Sequence, residues 1–283
     1  MDFPFDAPTH CAPWVNTPID TSEPSIARVY DAVLGGKDNF AADREVALKF
    51  LEVPGAQVTP FDNRRWLKRV TQWLVGQARI RQIIDLGSGL PTTSSIHEFA
   101  GQVADDVRVV YVDNDPSVLA HGRALLATSD NTTVVTGDVC DTDALLTDPD
   151  LLNLIDVERP FAVLLASVLH HLPDGEDQRV AAHLRAHLRP GCYLAIANFH
   201  NPGPSDPRAR AIESALVDGG LGSGWVRPWP QHRMYFGDLD LVPPGLCPVN
   251  EWRPDNETPD SSPVHHLYIG GVGYRPEAGL DYS

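Results

Sequence analysis

Ile83-Ile84-Asp85-Leu86-Gly87-Ser88-Gly89-Leu90-Pro91-Thr92 is the stretch on which the reading of this chain turns. A short aliphatic run ends in an acid, two glycines follow one residue apart, and a proline stands where a helix could begin. The pattern predicts a strand, a tight turn and a helix start. Glycines at such a turn admit positive φ and let the backbone approach a ligand, while the first N–H groups of a following helix would face the same ligand. The functional site is expected around this turn.

Outward from the turn, strands and helices alternate. Strands are predicted at Gln82–Leu86, Arg108–Val112, Thr133–Thr136, Ala162–Ala166 and Tyr193–Ala197, with helices near Thr93–Ala104, Pro116–Ala127, Thr142–Ile155 and Glu176–Leu188. Helices of that length between strands imply βαβ units and a parallel sheet covered on both faces. A helix from Asp206 to Val217 follows, and the runs Asp240–Val242, continuing to Val249, and His265–Val272 predict a closing pair of strands. Upstream, residues 1–23 carry Pro4, Pro8, Pro13 and Pro18 and read as an irregular arm. Ser25 then caps a helix with Ile26, Val29, Tyr30 and Val33 on one face, ended by Gly35-Gly36. A second helix starts at Ala41, after the break at Lys37-Asp38-Asn39-Phe40, and Pro54-Gly55 and Pro60 interrupt the chain again. A third runs roughly from Asp62 to Gln77, with Trp66, Val70, Trp73 and Leu74 inward and Arg64, Arg65, Lys68 and Arg69 on an expected solvated face.

In an open parallel sheet, ligands bind beyond the carboxyl ends of the strands. Asp85, Asp113 and Asp138 should each stand at or just past such an end. Asp113, after Val109-Val110-Tyr111-Val112, is placed to accept hydrogen bonds from a ribose diol, and Asp138 from an exocyclic amine such as that of adenine. Together they describe a nucleoside pocket. A dinucleotide fingerprint needs a third glycine where Thr92 stands, and Pro91 removes an N–H that would face a pyrophosphate. Asp85 beside the turn suits a ligand bearing an ammonium instead.

Composition narrows the class. The chain has 283 residues, 42% of them hydrophobic, enough to bury a full core, and a net charge of −16 that disfavours nonspecific binding to nucleic acid or anionic membranes. Its longest uncharged apolar run, Phe161 to Leu169, is too short to span a bilayer, and Met1-Asp2-Phe3-Pro4 lacks the basic start of a signal peptide, so a cytoplasmic location is expected. Cys11, Cys140, Cys192 and Cys247 form no CxxC pair, so neither a zinc site nor a disulfide framework is suggested. No metal is expected.

Asp85-Leu86-Gly87-Ser88-Gly89, then Asp113, Asp138 and Val168-Leu169-His170-His171-Leu172, in that order, resemble the motifs of class I S-adenosylmethionine-dependent methyltransferases. More narrowly, Pro24-Ser25-Ile26-Ala27-Arg28-Val29-Tyr30-Asp31, Leu34-Gly35-Gly36-Lys37-Asp38-Asn39-Phe40-Ala41-Ala42-Asp43-Arg44-Glu45, Gly89-Leu90-Pro91-Thr92 and Tyr111-Val112-Asp113-Asn114-Asp115-Pro116 resemble a bacterial methyltransferase family long catalogued only as a domain of unknown function. The similarity covers about residues 24–275. It implies a Rossmann-like α/β fold with a seven-stranded, mostly parallel sheet whose last strand is antiparallel, preceded by an N-terminal helical extension. The corresponding organisation is an arm at 1–23, a helical cap at 24–79, a cofactor-binding domain at 80–275 and a tail at 276–283.

The resemblance also implies roles. Asp85, Gly87, Ser88 and Gly89 would border the methionine part of S-adenosylmethionine, Asp113 would bind the ribose with Asn114 beside the adenine, Asp138 and Val139 would face the adenine amine, and Ala166 and Ser167 would line the wall near the sulfonium. Apart from the resemblance, the position of the N-terminal helices outside the sheet and their polar-aromatic content predict that they fold over the site, with Asp38 and Asn39 contacting the acceptor and Tyr30 and His170 as catalytic candidates. The expected reaction moves a methyl group to a small-molecule acceptor and releases S-adenosylhomocysteine. Two alternatives remain: an S-adenosylmethionine-binding regulatory module without turnover, and a nicotinamide-dependent oxidoreductase, which Pro91 and Thr92 disfavour. Gly87 and Gly89 alone fit many α/β folds; the ordered set of acids discriminates. The acceptor atom and the oligomeric state are not legible.

Overall fold

Five parallel strands form where the alternation places them: β1 (Gln82–Leu86), β2 (Arg108–Asp113), β3 (Thr132–Thr136), β4 (Ala162–Ala166) and β5 (Tyr193–Asn201). The computed structural model describes residues 18–91, 95–126 and 129–276; Pro4, Pro8, Pro13, Cys11, Thr92 and the tail from 277 lie outside them. Three helices precede the sheet: α1 (Ile26–Val33), α2 (Ala41–Leu51) and α3 (Thr59–Gly76). The helices within and after the alternation are α4 (Ile96–Gly101), α5 (Pro116–Leu125), α6 (Thr142–Leu146), α7 (Pro149–Leu152), α8 (Glu176–His187) and α9 (Arg208–Leu216). The chain then forms β6 (Arg227–Pro228), α10 (Trp229–Phe236), β7 (Asp240–Leu241), β8 (Cys247–Pro248) and β9 (Tyr268–Tyr274).

Several boundaries differ from the sequence expectation, each for a local reason. Pro60 does not break the chain but sits in the first turn of α3, where its missing N–H costs nothing. The single helix expected over 142–155 is two, because Pro149 starts a new one whose free N–H groups, those of Asp150 and Leu151, are capped by the Asp148 carboxylate. The helix expected from Thr93 begins at Ile96, capped by Ser95. The late strand from Asp240 to Val249 is interrupted at Pro243-Pro244, which have no N–H for the ladder, so β7 and β8 each pair separately and antiparallel with β9.

The sheet runs β3-β2-β1-β4-β5-β9-β7, with β6 added to β5 and β8 to β9. Its main path is therefore the seven-stranded order expected, and β9 pairs antiparallel with β5 from Tyr193–Tyr274 to Phe199–Tyr268. Because β1 lies between β2 and β4, the strand order reverses there, which opens a crevice at the carboxyl ends. Alternate residues feed two apolar layers: Ile83, Val109 and Leu164 face one, Ile84, Val110 and Val163 the other. Val29, Phe50 and Trp66 from α1–α3 share the first layer, so the helical cap and the sheet enclose one core. Gly270 and Gly273 in β9 are required by this packing: a Cβ would stand 3.0 Å from the Trp66 ring at the first and 2.8 Å from Leu239 at the second.

Buried polar contacts fasten the cap. Arg28 pairs with Asp43 at 2.9 Å, donates to Ser117 Oγ at 3.3 Å and reaches the carbonyls of Asp20 and Glu23. Asp43 also accepts the backbone N–H groups of Ser25 and Phe40. At the end of α1, Gly36 lies against the Asp31 carboxylate so closely that a Cβ would meet Oδ1 at 1.9 Å. Among the described residues no helix is long and apolar enough to cross a membrane.

Candidate functional site

One cavity of about 540 Å³ lies over the carboxyl ends of β1 to β4 and beneath α1 and α3. Its floor is the glycine turn. Gly87 and Gly89 take φ of +66° and +67°, and the N–H groups of Gly87 and Ser88 both donate to Val112 O, which ties the turn to the end of β2. A Cβ on Gly87 would stand 2.6 Å from Val168, whereas no described residue lies within 4 Å of one on Gly89. Ser88 Oγ is buried in the cavity wall with no partner among the described residues. α4 starts at Ile96, and Ile96 and its capping Ser95 line the cavity together with the turn.

Asp85 and Asp113 face the cavity from adjacent strands. Burial pushes the Asp85 carboxyl up from 3.8 to about 7, a rise that the Arg64 guanidinium opposes and the Asp113 charge reinforces. Asp113 is also raised by burial, against the pull of the backbone N–H groups of Asp115 and Gly89, which it accepts at 2.9 Å each. Asp115 in turn caps α5 through Ser117 N and accepts the Ser25 hydroxyl, so the start of α1 is bolted to the loop that holds Asp113. Asp138, its Oδ1 accepting Cys140 N–H at 2.9 Å, and Val139 complete this end, with Asn114 exposed on the rim.

The other end lies past β4 and β5. Ala166 and Ser167 line it, and Ser167 has φ +63° without being glycine, a conformation that costs about 1–2 kcal/mol and is held here by its neighbours. Ser167 Oγ hydrogen-bonds the Tyr268 hydroxyl and accepts from Asn63 Nδ2 at 3.2 Å. His170 is buried against the Phe199 and His171 rings, with centroids 4.6 and 4.4 Å away, and its Nδ1 accepts the Phe199 N–H at 3.4 Å. That contact leaves the proton of a neutral ring on Nε2. Burial holds its pKa well below the ordinary value, and takes that of His171 down to about 3.

The face of α1 that carries Ile26, Val29, Tyr30 and Val33 turns onto the cavity, which is why Ile26 remains 44% exposed. Tyr30 lies in the wall, but its hydroxyl donates to Pro60 O at 3.1 Å and accepts from Asn63. Asp38 and Asn39 are not among the lining residues. The Asp38 N–H and Asn39 Nδ2 both donate to Asp31 Oδ2, so they hold Asp31, which does line the cavity. Sequence reasoning missed Thr59, Asn63 and Arg64, which reach the cavity from α3. The basic face expected to be solvated is not: Arg64 is in the cavity wall, and Arg69 is buried on the carbonyls of Val249 and Trp252. Among the described residues no three His, Cys, Asp or Glu side chains converge to hold a metal ion.

A sequence profile described as S-adenosyl methyltransferase matches residues 12–276. The chain belongs to that family. This methyltransferase is 43% identical to a candidate methyltransferase from Thermobifida fusca YX, over 92% of this chain and 97% of that one, with a TM-score of 0.86. It is 32% identical to a DUF574 family protein from Streptomyces avermitilis, over 92% and 100% of the two chains, with a TM-score of 0.85. The second match bears out the resemblance to a family once known only as a domain of unknown function. Human N-acetylserotonin methyltransferase, crystallised with S-adenosylmethionine, shares 13% identity over 88% of this chain and 59% of that one, at a TM-score of 0.50, a likeness of fold alone. No curated protein matches. The protein is an S-adenosylmethionine-dependent methyltransferase of the class I fold, which sets the nicotinamide-dependent reading aside.

Proposed function

We propose that this methyltransferase binds S-adenosylmethionine across the acids of β1 to β3 and transfers its methyl group to a small-molecule acceptor at the Asn63 end of the same cavity. The observation that carries the reading is that one cavity holds all three strand-end acids, the Gly87–Gly89 turn and a Ser88 hydroxyl with no partner among the described residues. Bound there, the cofactor supplies a methyl group already activated on a sulfonium. Asp85 holds the ammonium and Arg64 the carboxylate of its methionine part, beside Gly87, Ser88 and Gly89. Asp113 accepts from the ribose diol, Asn114 flanks the adenine, and Asp138 and Val139 meet the adenine amine. Ala166 and Ser167 face the sulfonium. The cap contributes by closing the crevice and excluding water, and positioning does most of the remaining work.

A cavity of this volume falls within the roughly 300–1,000 Å³ that holds a drug-sized ligand, which favours a small acceptor over a protein chain. A cytoplasmic protein acting without nucleic acid or membrane is the reading that the −16 net charge supports. Calorimetry with S-adenosylmethionine, S-adenosylhomocysteine and NAD in parallel tests the cofactor assignment: the first two bind with one site per chain and NAD does not. Asp113→Asn is expected to weaken S-adenosylhomocysteine binding by about 1.5–3 kcal/mol, the usual worth of hydrogen bonds to a charged group. An unchanged Kd in that variant would remove the ribose from Asp113.

A further inference from the structure

The acceptor end of the cavity is organised around one buried amide. Asn63 is 3% exposed, and its two N–H groups begin two chains that end on backbone carbonyls: one through the Tyr30 hydroxyl to Pro60 O, the other through Ser167 Oγ and the Tyr268 hydroxyl to Ala197 O. The orientation of the amide is fixed by this arrangement. Tyr30 has a single proton and gives it to Pro60 O, so the Asn63 atom facing it must be the donor nitrogen. Asn63 Oδ1 is left as a buried acceptor with no partner among the described residues, in a side chain that lines the cavity. Buried polar atoms are almost always satisfied, so this one calls for a donor on the ligand. Thr59, 2% exposed, lies in the same wall, and its Oγ1 likewise has no partner among the described residues.

Much of the remaining lining is apolar, with His170, His171 and Ser223 beside it. Phe50 and Phe199, with ring centroids 6.0 Å apart, line it together with Leu67, Leu216 and Leu221. The basic side chains of the lining are engaged: His171 Nδ1 hydrogen-bonds Ser223 Oγ at 2.9 Å, and Asp31 Oδ2 accepts from the Asp38 N–H and Asn39 Nδ2. The Nδ1 lone pair of His170 is taken by Phe199 N–H, and the Tyr30 proton is committed to Pro60. An alcohol or phenol must lose its proton to become a good nucleophile, whereas a neutral amine offers its lone pair as it stands.

Resting on the cofactor assignment above, we propose that the methyl acceptor is a small, uncharged amine with an apolar body, and that Asn63 Oδ1 accepts its N–H and turns the nitrogen lone pair toward the methyl group. The nitrogen bonds to the methyl carbon as the carbon–sulfur bond breaks. The electron pair of that bond stays on sulfur, giving neutral S-adenosylhomocysteine. The nitrogen gains the positive charge, keeps its proton, and sheds it to water after the product leaves. Tyr30 is a positioning residue that holds the amide in the productive orientation.

The test uses the full protein loaded with S-adenosylhomocysteine, titrated with N-methylaniline and N,N-dimethylaniline, which differ by the one N–H. The expected result is saturable binding with N-methylaniline about tenfold tighter, the worth of one hydrogen bond to an otherwise unsatisfied buried acceptor. Asn63→Leu erases that preference while S-adenosylhomocysteine still binds and stabilises the variant. Tyr30→Phe, which keeps the ring but frees the amide to turn, reduces the preference without abolishing it. With S-adenosylmethionine, methylated product forms from N-methylaniline and not from phenol. Equal affinity for the two anilines, an undiminished preference in Asn63→Leu, no saturable binding of either aniline, or methylation of phenol at a comparable rate would overturn the proposal. Failure of S-adenosylhomocysteine itself to bind would instead strike the cofactor assignment.

Discussion

Asp85→Asn is expected to change two properties in opposite directions. In the ligand-free protein the Asp85 carboxyl is raised from 3.8 to about 7 by burial, so the folded state holds its proton more tightly than the unfolded chain. A raised carboxyl destabilises the fold as pH rises, by nothing below about pH 4 and in full above about 7. At about 1.4 kcal/mol per pH unit, that penalty is on the order of 4 kcal/mol for this rise. Asp85→Asn therefore melts higher than the parent, with a difference that grows from pH 4 to pH 8. The same substitution removes the charge assigned to the cofactor's ammonium. Loss of one partner of a buried charge pair costs about 2–5 kcal/mol, at least roughly thirtyfold in Kd for S-adenosylhomocysteine. In the parent, affinity falls as pH drops below about 7, where Asp85 takes up a proton. Asp85→Asn loses the acid limb. A variant that binds normally and melts no higher would show that Asp85 neither holds the ammonium nor carries a burial penalty.

Arg28→Leu should carry the largest effect on stability. The substitution leaves Asp43, which has no exposed surface, without its cation, and unpairing a buried ion pair costs about 3–5 kcal/mol. A urea titration reads this as a lower midpoint at unchanged slope. Arg28→Met combined with Asp43→Leu recovers part of the loss, because no charge is then stranded. Recovery is incomplete, since Asp43 also accepts the N–H groups of Ser25 and Phe40. Because α1 lines the cavity and is bolted to Asp115, Arg28→Leu also weakens S-adenosylhomocysteine binding. A midpoint shifted by less than the worth of a surface ion pair, up to about 1 kcal/mol, would refute the buried clamp.

The placement of the strand-end acids was legible because it is local. Asp85 and Asp113 stand at the ends of β1 and β2 and Asp138 two residues past β3, and strand order brings all three to one edge. The N-terminal signature was legible as a resemblance, and the structure supplies its physical reason: Asp43 gathers Ser25, Arg28 and Phe40, while Asp31 holds Asp38 and Asn39 beside a Gly36 that leaves no room for a Cβ. The acceptor end was not legible, because no local pattern marks it. Asn63 and Arg64 sit in a helix whose periodicity reads as one apolar side and one solvated side. Ser167 adopts positive φ with no glycine to announce it, and Tyr268 reaches it from β9, 101 residues along the chain. The helix α10 escaped notice because Pro228-Trp229-Pro230 reads as irregular, although Pro230 merely occupies its first turn. Asp38 and Asn39, expected to contact the acceptor, bond to Asp31 instead and do not line the cavity.

The assignment of the cavity is tested most directly by a crystal structure of the S-adenosylhomocysteine complex. The account predicts the ammonium within hydrogen-bond distance of Asp85, the ribose diol on Asp113, the adenine amine at Asp138, and the remaining space bounded by Asn63, Ser167, Phe50 and Phe199. An electron density that places the ribose away from Asp113, or the homocysteine sulfur away from Ser167, would contradict it.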